Sequence, residues 1–314
     1  MKYGFGVDLG GTTVKIAFFD DTGTMLDKWE IPTVTEDNGS QILPDIAASV
    51  EKFLQEKQFS KGQIIGIGIG VPGPVDDDGN VNRCHNLGWG VFNIHAELGA
   101  LTGLPVKAGN DANMAALGEA WKGGAVGCGN MVLATFGTGV GGGIVVNGQP
   151  TNGIHGAAGE IGHITVNRDE TEPCTCGKYG CAEQYCSATG IVRLAKKRLA
   201  LDDQASILRN IAPLTCKDVF DAGNQKDALA LEVLEQVYAY MGQFLASVCC
   251  VTDPEVVVLG GGVSKAGQVL LDGAKRYFDK YIFHASKGIR FALASLGNDA
   301  GAYGAFKLVL DEYG

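Results

Sequence analysis

The chain has 314 residues, enough for one large core or two moderate ones, and its 46% hydrophobic and 19% charged content is that of an ordinary globular protein. A formal net charge of -10 opposes nucleic-acid phosphate, and no apolar run approaches the roughly 18 residues of a membrane span. The opening MKYGFGVDLGG carries no secretory pattern, and most of the nine cysteines are scattered, so a reducing cytoplasm is expected.

The first third of the chain predicts a β-meander. Tyr3–Val7, Val14–Phe19 and Met25–Ile31 read as strands, with Gly10-Gly11 and Thr22-Gly23 as turns. Between Pro44 and Gln58, Ile46, Val50, Phe53 and Leu54 share one helical stripe. Ile64–Val71 reads as a buried strand that stops at Pro72-Gly73-Pro74. A short strand over Val106–Ala108 runs to Asn110-Asp111, and a helix over Ala112–Trp121 follows.

Strands then restart. Met131–Phe136 and Gly143–Val146 flank a loop at Gly137–Gly142, which suggests a second half built like the first. Helices follow over Ala188–Leu199 and Ala228–Cys250. The strand Val256–Leu259 leads into Gly260-Gly261-Gly262, a helix after Lys265 and a final helix over Ala300–Leu310. AKKRLA near Lys196 reads as one basic helix face. Alternating strands and helices give an α/β fold, and the expected division is 1–115, with 300–314 packing back on it, and 116–299.

Three glycine turns each follow a strand: DLGGTT at 8–13, FGTGVGGG at 136–143 and LGGGV at 259–263. Glycine lets backbone N–H groups approach phosphate oxygens, and threonine hydroxyls add donors. A hairpin turn uses the same residues, so one such loop alone is weak evidence; three at strand ends point to a nucleotide. No Walker loop and no G-x-G-x-x-G before a helix is present. Asp8, just before the first loop, is a candidate partner for Mg²⁺ through water.

His163, Cys174, Cys176 and Cys181 have the spacing of a closed zinc site. Thiolate and imidazole select Zn²⁺, and four protein ligands leave no open position, so the ion is structural. A zinc hydrolase is thereby disfavoured. Glu160 and Glu183 lie within three residues of a ligand, and pinned carboxylates suggest a polar binding site. Asn86, Asn110, Asp111, Glu160, His163 and Glu183 suit a polyhydroxy substrate, though each alone is more often a turn or surface residue. Asp111 stands at a helix N-terminus, where it either caps the helix or accepts a hydroxyl proton during phosphoryl transfer.

Taken together, DLGGTTVK at 8–15, VPGPVD at 71–76, NLGW at 86–89, GNDANMAALGE at 109–119, FGTGVGGG at 136–143, EIGH at 160–163 and CTCGKYGCAE at 174–183 resemble the ROK family of sugar kinases and repressors. The resemblance implies an actin/hexokinase-type (ribonuclease H-like) ATPase fold, with two α/β domains flanking a cleft. It implies Asp111 as general base and a sugar held by Asn86, Asn110, Glu160, His163 and Glu183. ATP and Mg²⁺ would be held by Asp8, Gly10, Gly11, Thr12, Thr13, Lys15, Gly137, Thr138, Gly139, Gly261 and Gly262. Structural Zn²⁺ would sit on His163, Cys174, Cys176 and Cys181.

NLGW with the full zinc motif is most similar to the family's bacterial glucokinases, which implies phosphorylation of glucose at O6 and a homodimer. Fructose, mannose, allose and N-acetylmannosamine are the alternative substrates, polyphosphate the alternative donor, and a non-catalytic sugar sensor the alternative function. The family's repressors carry a helix-turn-helix ahead of the first loop; only seven residues precede Asp8, so none is expected here.

Overall fold

The computed structural model describes residues 2–314. In chain order it begins β1 (Tyr3–Leu9), β2 (Thr13–Asp20), β3 (Met25–Pro32), a distorted turn α1 (Glu36–Gly39), α2 (Ile42–Lys57) and β4 (Ile64–Val71). It continues β5 (Asn80–Cys84), β6 (Trp89–Asn93), α3 (Ile94–Thr102), β7 (Val106–Asn110), α4 (Asp111–Lys122), β8 (Met131–Phe136), β9 (Val140–Val146) and β10 (Gln149–Pro150). The remainder is α5 (Glu183–Cys186), α6 (Ala188–Leu199), α7 (Cys216–Asn224), α8 (Ala228–Thr252), β11 (Val256–Gly260), α9 (Gln268–Tyr281), β12 (Arg290–Leu293) and α10 (Ala300–Tyr313).

The chain divides into two compact units. One holds the residues up to Gly129, Gly143–Gly159 and Ser295–Gly314; the other holds Asn130–Gly142 and Glu160–Ala294. The boundary expected after residue 115 falls inside α4.

In the first unit, five strands run in the order β3-β2-β1-β4-β7. The meander β1–β3 is antiparallel, while β1, β4 and β7 are parallel neighbours. Phe5, Phe18, Ile46, Val50, Phe53 and Ile67 pack between sheet and α2, and Phe18 and Phe53 lie 4.9 Å apart by ring centroid. The helix α2 ends at Gln58, whose left-handed backbone (φ 60°) closes the last turn. The opposite sheet face carries α10. That helix reaches backbone contact because β4 offers Gly68, where a Cβ would lie 1.7 Å from the Ala305 carbonyl oxygen.

The second sheet has the order β10-β9-β8-β11-β12, and the chain passes from one unit to the other within β9. In the second unit β8, β11 and β12 are parallel. All five residues of β11 are buried, as a central parallel strand requires. The 25-residue helix α8 is capped by Asp227, which accepts the Ala230 N–H, and it buries Leu234, Val237, Met241 and Phe244.

Three expectations need correction. VPGPVD leads into a hairpin, β5–β6, whose turn carries NLGW, with Val81 opposite Phe92, where no strands were expected. The strand after the second glycine loop starts at Val140, not Gly143, so the loop itself shortens to Gly137–Gly139. And α3, α7 and β12 were not anticipated, nor were the shorter α1, β10 and α5. These elements are short, and β5, β6 and β12 show exposed or half-buried faces without clean alternation.

Candidate functional site

In the first unit, sheet register sets one part of the site. Asp8 pairs with Gly70, and Gly70 with Gly109, across three parallel strands. The turns DLGG, VPGP and GND therefore leave the sheet side by side at its carboxyl edge, where α/β sheets bind ligands. The first turn is closed by the Gly10 N–H to the Thr13 carbonyl (3.0 Å) and by the Thr33 hydroxyl to the Gly10 carbonyl (2.7 Å). Gly11 and Thr12 are exposed at its tip, with Thr13 half-buried behind them. Lys15 stands opposite Asp8 in the ladder, and its Nζ lies 3.1 Å from the Asp8 carboxylate.

Asn110 ends β7 and caps α4. Its Oδ1 accepts the N–H groups of Ala112 (3.0 Å) and Asn113 (3.2 Å), and its Nδ2 donates to the Gly73 carbonyl (3.2 Å). Asn110 thus fills the capping role, and most of its polar capacity is spent there. Asp111 is the first helical residue. It is half-buried, and its Oδ1 accepts the Ala112 N–H at 2.8 Å. The positive end of α4 lies under this carboxylate.

Asn86 is exposed on the turn between β5 and β6. Neighbours anchor that turn. The Cys84 thiol donates to the Pro72 carbonyl (2.9 Å), and the buried Trp89 indole donates to the Gly39 carbonyl (3.1 Å). Burial pushes the Cys84 thiol up, and the charge of Asp111 adds to that push.

In the second unit, His163, Cys174, Cys176 and Cys181 offer ligand atoms that all lie within 4.8 Å of one another. A tetrahedral zinc shell with Zn–S near 2.3 Å separates sulfur atoms by about 3.8 Å. Here Cys176 Sγ and Cys181 Sγ are 3.6 Å apart, and Cys174 Sγ is 3.8 Å from His163 Nδ1. The donor set and spacing fit Zn²⁺. The other ring nitrogen, Nε2, lies 4.0 Å from the exposed Glu160 carboxylate. The knuckle closes tightly at Gly180, whose φ is 72° and where a Cβ would lie 1.7 Å from the Asn167 carbonyl oxygen.

A polar network braces the knuckle from outside. The Glu170 carboxylate accepts the Tyr185 hydroxyl (2.6 Å) and pairs with the Arg193 guanidinium; Arg193 Nε also reaches Glu172 (2.8 Å). Burial alone would raise Glu170, but the Tyr185 hydroxyl, the Glu172 N–H, Arg193 and Lys197 outweigh it and hold the carboxyl at about 2.

The second and third glycine loops are neighbours in this unit. Thr135 pairs with Gly260 across parallel β8 and β11, so both loops leave the same edge. Gly261 (φ 79°) lies against the Phe136 backbone, and Gly262 opens the next turn. The half-buried Gly137 and Gly139 flank the exposed Thr138. Thr138 also lines a groove of about 570 Å³ together with Thr189, Val192, Arg193, Lys197 and Cys216.

Sequence reasoning missed Asn113 and Glu119. Asn113 is fully buried and bridges Thr151 and Asn152, with Nδ2 to Asn152 Oδ1 at 2.9 Å. Glu119, also fully buried, accepts the N–H groups of Gly124 (2.7 Å), Ser295 (3.0 Å) and Leu296 (2.9 Å). A carboxylate among Ala116, Leu117 and Gly118 on a buried helix face was the available signal.

The sequence pattern of the ROK family matches residues 4–312. The glucokinase of Halalkalibacterium halodurans is 47% identical over 315 residues, covering 97% of this chain and 94% of that protein. A ROK family glucokinase from Streptomyces griseus, solved with glucose and AMPPNP, superposes with a TM-score of 0.73 at 31% identity and covers 98% of each chain. The ROK hexokinase from Thermus thermophilus gives 0.79 at 31% identity, covering 98% of this chain and 99% of that one.

Proposed function

This chain belongs to the ROK family, and from that premise we propose that it transfers the γ-phosphoryl group of ATP to O6 of glucose, with Asp111 as the base. Its likeness to glucokinases along nearly its whole length supports ATP-dependent glucose phosphorylation. The observation that carries the mechanism is the Asp8–Gly70–Gly109 row, which delivers a phosphate-type turn and the Asn110-Asp111 turn to one sheet edge.

The chemistry asked of the protein is mostly positioning and charge. Asp111 takes the sugar O6 proton as the new O–P bond forms and the β–γ bridge breaks toward ADP. The helix end beneath it holds the carboxylate in place. Asn86, Glu160, His163 and Glu183 bind sugar hydroxyls in this reading, and Asn110 contributes through its placement of the α4 turn. Gly10, Gly11, Thr12, Thr13, Gly137, Thr138, Gly139, Gly261 and Gly262 cradle the nucleotide, and Lys15 keeps Asp8 oriented. Asp8 would hold the Mg²⁺ that accompanies ATP, through water, and the ion would neutralise phosphate charge.

The Cys₃His cluster supports structural zinc, since four protein ligands close the shell. His163, Cys174, Cys176 and Cys181 would hold the ion, which would fix the loop that carries Glu160 and His163. No helix among the described residues is long and apolar enough to cross a membrane. Nine cysteines outside disulfides support a cytoplasmic setting, and the family resemblance supports a homodimer.

The test is ADP release by the purified chain with Mg-ATP across a panel of hexoses. Turnover on glucose yielding glucose 6-phosphate is expected. Preference for another hexose would overturn the substrate assignment, and no turnover on any sugar would overturn the kinase itself.

A further inference from the structure

We infer that Thr175, set between two of the four metal ligands, is a positioning residue for the glycine loop Gly137–Val140. This rests on the proposal above that the loop holds ATP phosphates.

The link runs through one carboxylate. Glu183 Oε1 accepts the Thr175 hydroxyl at 3.0 Å, and Glu183 Oε2 accepts the Val140 N–H at 3.0 Å. One oxygen is thus committed to the metal knuckle and the other to the glycine loop. The approach is close: a Cβ on Gly139 would lie 2.4 Å from Oε2, so glycine there is what admits the carboxylate. The loop's other ties come from the chain just beyond Glu183. The Ala188 N–H donates to the Gly137 carbonyl (2.8 Å), and the Thr189 hydroxyl donates to the Thr138 carbonyl (2.7 Å). The Ser187 hydroxyl returns to the Glu183 carbonyl at 2.6 Å.

The loop is therefore gripped on its carbonyls by the start of α6 and on an N–H by Glu183. Only the second grip depends on the knuckle. Cys174 and Cys176 flank Thr175, so a metal that fixes both thiolates fixes the hydroxyl between them. Freed of Thr175, Glu183 keeps its bond to Val140, while Oε1 retains only the long Cys174 Sγ contact (3.7 Å), in which a metal-bound thiolate cannot donate. Metal at the knuckle then acts on nucleotide affinity, in addition to the sugar-binding role proposed for Glu160 and His163.

The experiment uses the metal-loaded full chain, with ADP and Mg²⁺ in calorimetry and amide exchange read along the chain. T175V keeps the shape and removes the hydroxyl; T175S restores it. T175V is expected to weaken ADP binding about fivefold, the worth of one ordinary hydrogen bond. Exchange should quicken over 137–142 and nowhere else, and T175S should return both readouts to wild type. T175A, which removes the hydroxyl together with the methyl, should weaken ADP likewise and serves if T175V folds poorly. Metal content must stay at the wild-type ratio in all three variants.

Unchanged ADP affinity in T175V and T175A overturns the inference while leaving the kinase proposal standing. Quickened exchange throughout the chain, loss of metal, or failure of T175S to restore binding also overturns it. Wild-type protein that binds no ADP removes the kinase proposal, and this inference with it.

Discussion

The turn around Asp111 and the knuckle around His163 hold their functional groups in opposite ways. At Asp111 the holding is done by main chain: a strand end, an N-cap and the first N–H groups of α4. At His163 little regular structure exists beyond a short 3₁₀ turn, and side chains do the work: three thiols, a ring nitrogen, and the Glu170–Tyr185–Arg193 network outside them. The first design keeps its shape without an ion. The second has less backbone order and gathers four ligand atoms that fit a metal shell, on a loop that also carries Glu160. Changes at the first should therefore separate activity from folding, and changes at the second should couple them.

The largest effect expected is at Asp111. D111N retains an oxygen that accepts the Ala112 N–H, so the helix end survives while the base is lost. Turnover number should fall by about 10² to 10⁴, the usual worth of a general base. Thermal unfolding and glucose affinity should stay near wild type. Turnover within tenfold of wild type would show that this carboxylate is not the base. A large drop in unfolding temperature would mean that Asp111 is structural after all, and the contrast between turn and knuckle would collapse.

A second change asks whether the first unit is as independent of side chains as its cap suggests. Glu119, at the other end of α4, is its main exception. E119A leaves the N–H groups of Gly124, Ser295 and Leu296 buried without their acceptor. Urea unfolding should show a loss of about 3 to 5 kcal/mol, as for other broken buried charge networks. A loss below about 1 kcal/mol would mean that water replaces the carboxylate, and that main chain alone suffices here.

These two regions were not equally legible. Asn110-Asp111 announced itself, because a helix cap is a local signal read within four residues. The glycine turns did so for the same reason. His163, Cys174, Cys176 and Cys181 were legible because metal spacing is local too, and their ligand atoms do gather. What stayed hidden depends on partners distant in the chain. Glu119 bonds Ser295, 176 residues away, and nothing near Glu119 names that partner. The tie of Glu183 to Val140 crosses 43 residues, and nothing near Glu183 names that partner either. The β5–β6 hairpin was hidden for another reason: its strands are five residues each, and NLGW was absorbed into the motif at its turn.

The smallest effect sharpens the knuckle side and concerns pH. Glu170 titrates at about 2 in the folded chain, against 4.5 for the ordinary carboxyl. Its charged form is favoured by folding, so its contribution is complete above 4.5 and fades as pH falls from 4.5 toward 2. The depression amounts to about 3 kcal/mol at neutral pH. E170Q keeps the size and one acceptor oxygen but cannot titrate. The difference in unfolding free energy between wild type and E170Q should therefore be greatest at neutral pH and shrink steadily across that acid window. Protonation of the metal ligands occurs in both proteins and cancels from the difference. A difference that stays flat with pH would mean that Arg193 and Tyr185 stabilise Glu170 by shape and not by charge. In that case the knuckle is braced as the Asp111 turn is, by geometry, and its reliance on charged side chains is confined to the four metal ligands.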